Sequence, residues 1–199
     1  GLRQGMPLSP VLSNLVMRDV DRGLEKAGLN AIRYADDIAV FCTSQQECEA
    51  ALQVITGLLK PLGLKLPPLE DNGKTSITPD RKACEILGVE LRLIGERYEM
   101  CAPNKRLDTL KDHYGEIATA EYCIANKLTL TRMITHLDAV ARGHKRTVHG
   151  LSNADDFQQR VDALQKKAVE SLIKSLVGEK AFTNLTDQKL AVLGVKAFA

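Results

Sequence analysis

Apolar positions open the chain on a helical period. Val11, Leu12, Leu15, Val16, Val20 and Leu24 recur three and four residues apart, and Gly28 ends the run. Gly1, Gly5 and Pro7 make residues 1–8 a turn. Ser9 followed by Pro10 predicts an N-cap with proline at the first helical position. Two short apolar runs, Ala31–Ala35 and Ile38–Cys42, then flank a polar pair, which predicts a hairpin. Ser44 with Glu47 reads as a capping box, opening a helix that turns Ala51, Leu52, Val54, Ile55, Leu58 and Leu59 toward a core. Pro61 and Gly63 close that helix. Residues 64–82 hold three prolines and a glycine, so the pattern predicts a loop with room for one short strand. Glu85–Leu93 and Arg97–Cys101 flank Ile94-Gly95-Glu96 as a second hairpin.

Beyond Pro103 the period is helical throughout. Helices are predicted over 104–121, 130–142, 155–177 and 187–192. The third carries Phe157, Val161, Leu164, Ala168, Leu172 and Leu176 at steps of four and three, a stripe made for core packing. Hairpins followed by helices predict an α+β chain with a domain boundary near residue 102.

Composition narrows the class. With 199 residues, 44% hydrophobic and 26% charged, the chain has the make-up of a globular protein large enough to bury a core. The apolar runs fall far short of the roughly 20 residues a membrane span requires, and no secretory leader pattern opens the sequence. Five cysteines, an odd number without a C-x-x-C pair, suggest reduced thiols and a cytoplasmic setting. The four histidines form no H-E-x-x-H pattern. Net charge is +2, split unevenly: residues 1–100 carry 12 Lys/Arg against 14 Asp/Glu, and residues 101–199 carry 15 against 11. A basic C-terminal half suits a phosphate-backbone partner, as it also suits a solvated helix face. The chain opens on Gly1 in mid-pattern, so a fragment or a processed product is expected.

The chemistry concentrates on Asp36 and Asp37. Neighbouring side chains on a strand point to opposite faces, so two adjacent carboxylates serve one site only where the backbone turns sharply. At the tip of a buried hairpin they would repel each other and resist desolvation, a cost that a divalent cation resolves. Mg²⁺ accepts a few carboxylates and completes its shell with water and phosphate oxygens. Two such ions about 4 Å apart can activate a 3′-hydroxyl and stabilise a leaving pyrophosphate.

Arg33-Tyr34-Ala35-Asp36-Asp37-Ile38 resembles the Y-A-D-D motif of reverse transcriptases, above all the bacterial group II intron and retron-like kinds. Gly1 to Pro10, with Leu12-Ser13-Asn14, is similar to the preceding R-Q-G-x-x-x-S-P motif of that family. Leu62-Gly63-Leu64-Lys65-Leu66 with Lys74-Thr75 resembles the next one, and Ile86-Leu87-Gly88-Val89 resembles the primer-grip hairpin. The resemblance spans residues 1–92 and weakens beyond them, where Arg142-Gly143-His144 and Arg160-Val161-Asp162 are similar to bacterial thumb patterns.

This resemblance implies an incomplete polymerase palm over 1–102 and a helical thumb-like domain over 103–199. It implies an RNA-directed DNA polymerase that extends a primer 3′-hydroxyl with dNTPs on an RNA template, using two Mg²⁺ ions or Mn²⁺ in their place. Asp36 would be the main metal ligand and Asp37 the second. Gln4 and Gly5 would lie beside the template and nascent pair, with Tyr34 packed behind the turn and Ala35 clearing the primer terminus. Lys74 would face the triphosphate, although Pro67, Pro68 and Leu69 lengthen the loop before it. Leu87 and Gly88 would belong to the primer grip. Arg142, Lys145 and Arg146, with His149 beside them, would contact the nucleic-acid backbone. The family completes its metal site with an aspartate on an earlier strand. That residue and the fingers are expected from a preceding segment or a partner chain, so the 199 residues alone are expected to be inactive. A noncatalytic, maturase-like RNA-binding module is the competing expectation, and an RNA-directed RNA polymerase a third.

Overall fold

The computed structural model describes residues 5–70 and 73–193. It mixes helices with two small antiparallel sheets and divides into two compact units, residues 1–82 and 83–199.

In the first unit, helix α1 (Ser9–Lys26) leads into strands β1 (Ala31–Tyr34) and β2 (Asp37–Val40), then helix α2 (Gln45–Leu59). Helix α1 starts at Ser9 itself. Leu8 occupies the N-cap position and makes no side-chain cap, so Ser9 is not the cap the sequence suggested. Gly28, at φ 67°, takes the left-handed position that ends the helix, and Leu29 N–H donates back to the Leu24 carbonyl.

Burial along α1 corrects a second expectation. Met17, Val20 and Leu24 are buried against Ile55 and Leu59 of α2, with Ala31, Ile38 and Val40 of the hairpin beside them. Val11, Leu12, Leu15 and Val16 share the periodicity but are exposed. The stripe is continuous in sequence, whereas α2 and the hairpin cover only its C-terminal half.

Helix α2 begins as the capping box requires at one end only. Glu47 N–H donates to Ser44 Oγ at 3.2 Å, but the Glu47 carboxylate accepts from Thr43 N and Thr43 Oγ1 at 2.8 and 2.9 Å, one residue further out. A 3-10 turn (Lys60–Leu62) and Gly63 at φ 68° close the helix. Among its described residues, the following loop holds one isolated bridge, between Leu69 and Thr75.

The second unit opens with a three-stranded meander, β3 (Cys84–Ile86), β4 (Val89–Ile94) and β5 (Arg97–Cys101). The sequence pattern read Glu85–Leu93 as one strand. The structure folds it back at Leu87-Gly88, both with positive φ (52° and 75°), as a two-residue hairpin turn demands. Helices α3 (Lys105–Ile117), α4 (Ala120–Ala125), α5 (Leu130–Arg146), α6 (Ala154–Val177), α7 (Glu179–Phe182) and α8 (Asp187–Val192) follow. The expected helix over 104–121 breaks at Ala118, and Thr119 caps a new one by accepting from Tyr122 N–H at 3.2 Å.

Helix α6 is the centre of this unit. Phe157, Val161, Ala168 and Leu172 are buried as the stripe predicts, while Leu176 is exposed. Gln165, Val169 and Ile173 are buried as well, because α3 and α5 cover α6 from two sides and widen its apolar face. Tyr114 of α3 donates its hydroxyl to the Leu137 carbonyl of α5 at 3.1 Å. Burial and the nearby Asp138 and Asp162 carboxylates push its pKa up to about 12.

Candidate active-site turn

Four residues of β1 pair with four of β2 in the register Ala31↔Val40, Ile32↔Ala39, Arg33↔Ile38 and Tyr34↔Asp37. Ala35 and Asp36 are therefore the two central residues of a tight hairpin. Ala35 takes φ 54°. For a residue with a Cβ that conformation costs about 1–2 kcal/mol, so the surrounding structure must hold it.

The turn does bring two carboxylates to one tip, but not in the surroundings expected. Asp36 and Asp37 are both exposed, and Tyr34 is 66% exposed and does not pack behind the turn. The hairpin is a two-stranded sheet, so only the face carrying Ala31, Ile38 and Val40 lies on a core. The acid pair is therefore open to solvent and not enclosed as a buried tip would be.

Arg33 holds the turn from behind. Its side chain is only 11% exposed, against 41% for Asp21. Nε and Nη2 donate to the two Asp21 carboxylate oxygens at 2.6 and 2.7 Å. Nη1 donates to Asn14 Oδ1 at 3.2 Å and to the Ala35 carbonyl at 2.7 Å. One guanidinium thus joins two residues of α1 to the peptide at the centre of the turn. Hydrogen bonding from Arg33 keeps the Asp21 carboxyl below the usual carboxylate range, and Asp21 in turn raises the Arg33 guanidinium further. Sequence reasoning passed over this residue except as part of a motif. A signal was available: Asn14 and Asp21 are seven residues apart, hence on one stripe of α1.

The remaining sequence candidates fall on several elements of the two units. Gln4 lies outside the described residues. Gly5 takes φ 83°, open only to glycine without strain, and nothing would crowd a Cβ there. Lys74 is exposed in the loop after α2. Leu87 and Gly88 form the β3–β4 turn of the second unit, with Leu87 exposed. On α5, Arg142 pairs with Asp138 at 3.1 Å and Lys145 pairs with Asp162 of α6, so both carry acidic neighbours within the fold. Arg146 is exposed in the last turn of α5, and His149 is exposed just beyond it.

Donor chemistry at the turn fits a hard divalent cation, since carboxylate oxygens are its preferred ligands. The donor number does not reach a closed site: among the described residues, no group of three or more His, Cys, Asp or Glu side chains could hold a metal ion.

Residues 1–91 match the family model of reverse transcriptase (RNA-dependent DNA polymerase). The reverse transcriptase match takes in α1, the Asp36-Asp37 hairpin, α2 and β3, and ends within β4. Helices α3 to α8 lie outside it. No curated protein matches the chain. No described helix is long and apolar enough to cross a membrane.

Proposed function

We propose that this chain is the catalytic-turn portion of an RNA-directed DNA polymerase of bacterial group II intron or retron-like type. The observation that carries the reading is a reverse transcriptase match that takes in a hairpin with Asp36 and Asp37 in succession at its tip. The substrates are a primer 3′-hydroxyl, a deoxynucleoside triphosphate and an RNA template.

Reverse transcriptases use divalent metal ions, and Asp36 with Asp37 would hold Mg²⁺, with water and phosphate oxygens filling its shell. When bound, such ions supply the Lewis acidity that activates the 3′-hydroxyl and offsets charge on the leaving pyrophosphate. The chain's own part is to fix two carboxylates on a rigid turn and to keep the passage over Ala35 clear of side-chain bulk. Exposure of Asp36 and Asp37 agrees with that role, since both need access to phosphate oxygens. Two carboxylates are fewer than a two-metal centre requires. A further acidic ligand would come from polypeptide outside this sequence, and the 199 residues alone would not polymerise.

In this reading residues 1–102 are a partial palm and 103–199 a thumb-like helical domain. The β3–β5 meander belongs to the palm by order in the chain and to the helical unit by packing. Gln4, Gly5 and Lys74 would serve template and nucleotide, and Leu87 and Gly88 the primer. Arg142 and Lys145 would exchange Asp138 and Asp162 for phosphate oxygens on binding a duplex, while Arg146 carries its charge at the end of α5.

The test is Asp36→Asn in the intact protein that carries this chain. Primer extension with dNTPs on an RNA template should fall to background while the unfolding midpoint stays with the parent. Retained extension would overturn the assignment. Extension by the isolated 199 residues would overturn the claim that the site is incomplete.

A further inference from the structure

We propose that Arg33 is a positioning residue for the Asp36 carboxylate, acting through the Ala35–Asp36 peptide; the proposal rests on the reading of Asp36 and Asp37 as metal-binding acids. The argument begins with what holds that peptide. The turn is exposed at Tyr34, Ala35, Asp36 and Asp37, so packing does not fix it. Ala35 sits at a strained φ of 54°, and relaxation of that residue would rotate the peptide and swing the Asp36 side chain with it.

Against this stands one short bond, from Arg33 Nη1 to the Ala35 carbonyl at 2.7 Å. It is effective only if the guanidinium itself cannot move. Asp21 supplies that constraint with a bidentate grip at 2.6 and 2.7 Å, and Asn14 adds a contact at 3.2 Å. Both anchors lie on α1, whose C-terminal half is in the core of the first unit. The chain of support therefore runs from a helix anchored in the core by Met17, Val20 and Leu24, through a rigid planar fork, to the peptide that aims Asp36. A lysine would bring the charge but not the fork, and so would not hold Asp21 and the carbonyl at fixed angles.

An ion pair with a merely structural role would tie the hairpin to α1 without affecting the tip. Two readouts separate the cases, both in the intact protein. One is amide hydrogen exchange in peptides covering residues 34–38 without metal. The other is Mn²⁺ affinity, by electron paramagnetic resonance of the free ion. In Arg33→Met and in Asp21→Asn, exchange at the tip should accelerate about tenfold and Mn²⁺ binding weaken about fivefold, with α2 peptides near parental rates. Arg33→Lys should fall between them and the parent, and it keeps the comparison open if Arg33→Met loses the fold of α1.

Tip exchange and Mn²⁺ affinity both within about twofold of the parent in Asp21→Asn and Arg33→Lys would overturn the proposal. Faster exchange throughout the hairpin and α2, with Mn²⁺ affinity unchanged, would also overturn it, in favour of the structural ion pair. If Asp36→Asn leaves Mn²⁺ binding intact, the metal-site reading fails instead, and tip exchange alone still decides whether Arg33 holds the turn.

Discussion

Asn153→Ala should be among the most costly single changes in the helical unit, because it orphans two buried backbone groups at once. Asn153 stands immediately before α6, yet its side chain makes no cap hydrogen bond to that helix. It reaches instead across 51 positions of sequence to Ala102, which is fully buried. Oδ1 accepts from Ala102 N–H at 2.7 Å, and Nδ2 donates to the Ala102 carbonyl at 3.1 Å. Nearby, Ser152 N–H donates to the Met100 carbonyl at 2.9 Å, so the α5–α6 connection continues the open edge of β5. Leaving a buried donor or acceptor unsatisfied costs about 1–3 kcal/mol. Two such groups give about 2–6 kcal/mol, and partial exposure of Asn153 lets water recover some of it, so about 2–4 kcal/mol is expected. For a unit of this size that corresponds to a fall in Tm of roughly 8–16 °C. Urea unfolding followed by tyrosine fluorescence reports on the right part of the chain, since Tyr98, Tyr114 and Tyr122 all lie in the second unit and only Tyr34 in the first. Ser152→Ala keeps its backbone bond and should stay within about 0.5 kcal/mol. Asn153→Asp keeps the acceptor but sets a carboxylate oxygen against the Ala102 carbonyl, so its cost should shrink when acid protonates that carboxylate. A loss below about 1 kcal/mol in Asn153→Ala would refute the reasoning.

Two further outcomes follow from the packing. A Cβ at Gly23 would lie 2.3 Å from Leu58 Cδ2 and 2.8 Å from Cδ1, so Gly23→Ala forces the end of the Leu58 side chain aside. Leu58 is only partly buried and can turn its methyl groups away, so the strain about cancels the roughly 1 kcal/mol that alanine gains over glycine within a helix, and urea titration should show none of that gain. His144, half-buried on α5, has its pKa lowered first by burial and then by the electrostatic influence of Arg106 and His113. A lowered folded pKa means stability present above the ordinary histidine value and lost as pH falls through the folded one. The unfolding midpoint should therefore fall as pH drops below the ordinary histidine value of about 6.5, and His144→Gln should flatten that slope; an unchanged slope would exclude His144 as its source.

The elements were legible where one residue type has one local meaning. Gly28 and Gly63 take the left-handed positions that end α1 and the 3-10 turn, and Ser44 caps α2 through Glu47 N–H. The Tyr34–Asp37 hairpin was legible because a polar pair between two β-forming runs has few other ways to fold. Burial was less so. Periodicity says that Val11, Leu15 and Val20 share a face of α1, but it does not say how far along that face a neighbour reaches. The same gap misjudged the tip of the hairpin: apolar flanks were taken as a sign of burial, and a two-stranded sheet buries only one face. The turn at Leu87-Gly88 was legible from the resemblance to a primer-grip hairpin but not from the apolar pattern, because a leucine at positive φ contradicts its own preference.

These gaps bear on the candidate site itself. The first unit's buried core, among the described residues, centres on Met17, Val20, Leu24, Ile55 and Leu59, whereas the second unit packs one face of each of α3, α5 and α6 into a larger core. A small core orients its elements weakly, because apolar contact is non-directional and tolerates rotation. Directional bonds do what that core cannot. Arg33 fixes an angle between α1 and the hairpin with four hydrogen bonds of defined geometry, and one of them ends on the peptide at the turn. A half-buried ion pair contributes little net stability, because desolvation offsets much of its attraction, and its value here lies in specifying one arrangement over its neighbours. That is what an exposed pair of carboxylates at the tip of a two-stranded sheet needs. The features read most easily from the sequence, Asp36 and Asp37, therefore depend for their aim on Arg33, Asp21 and Asn14.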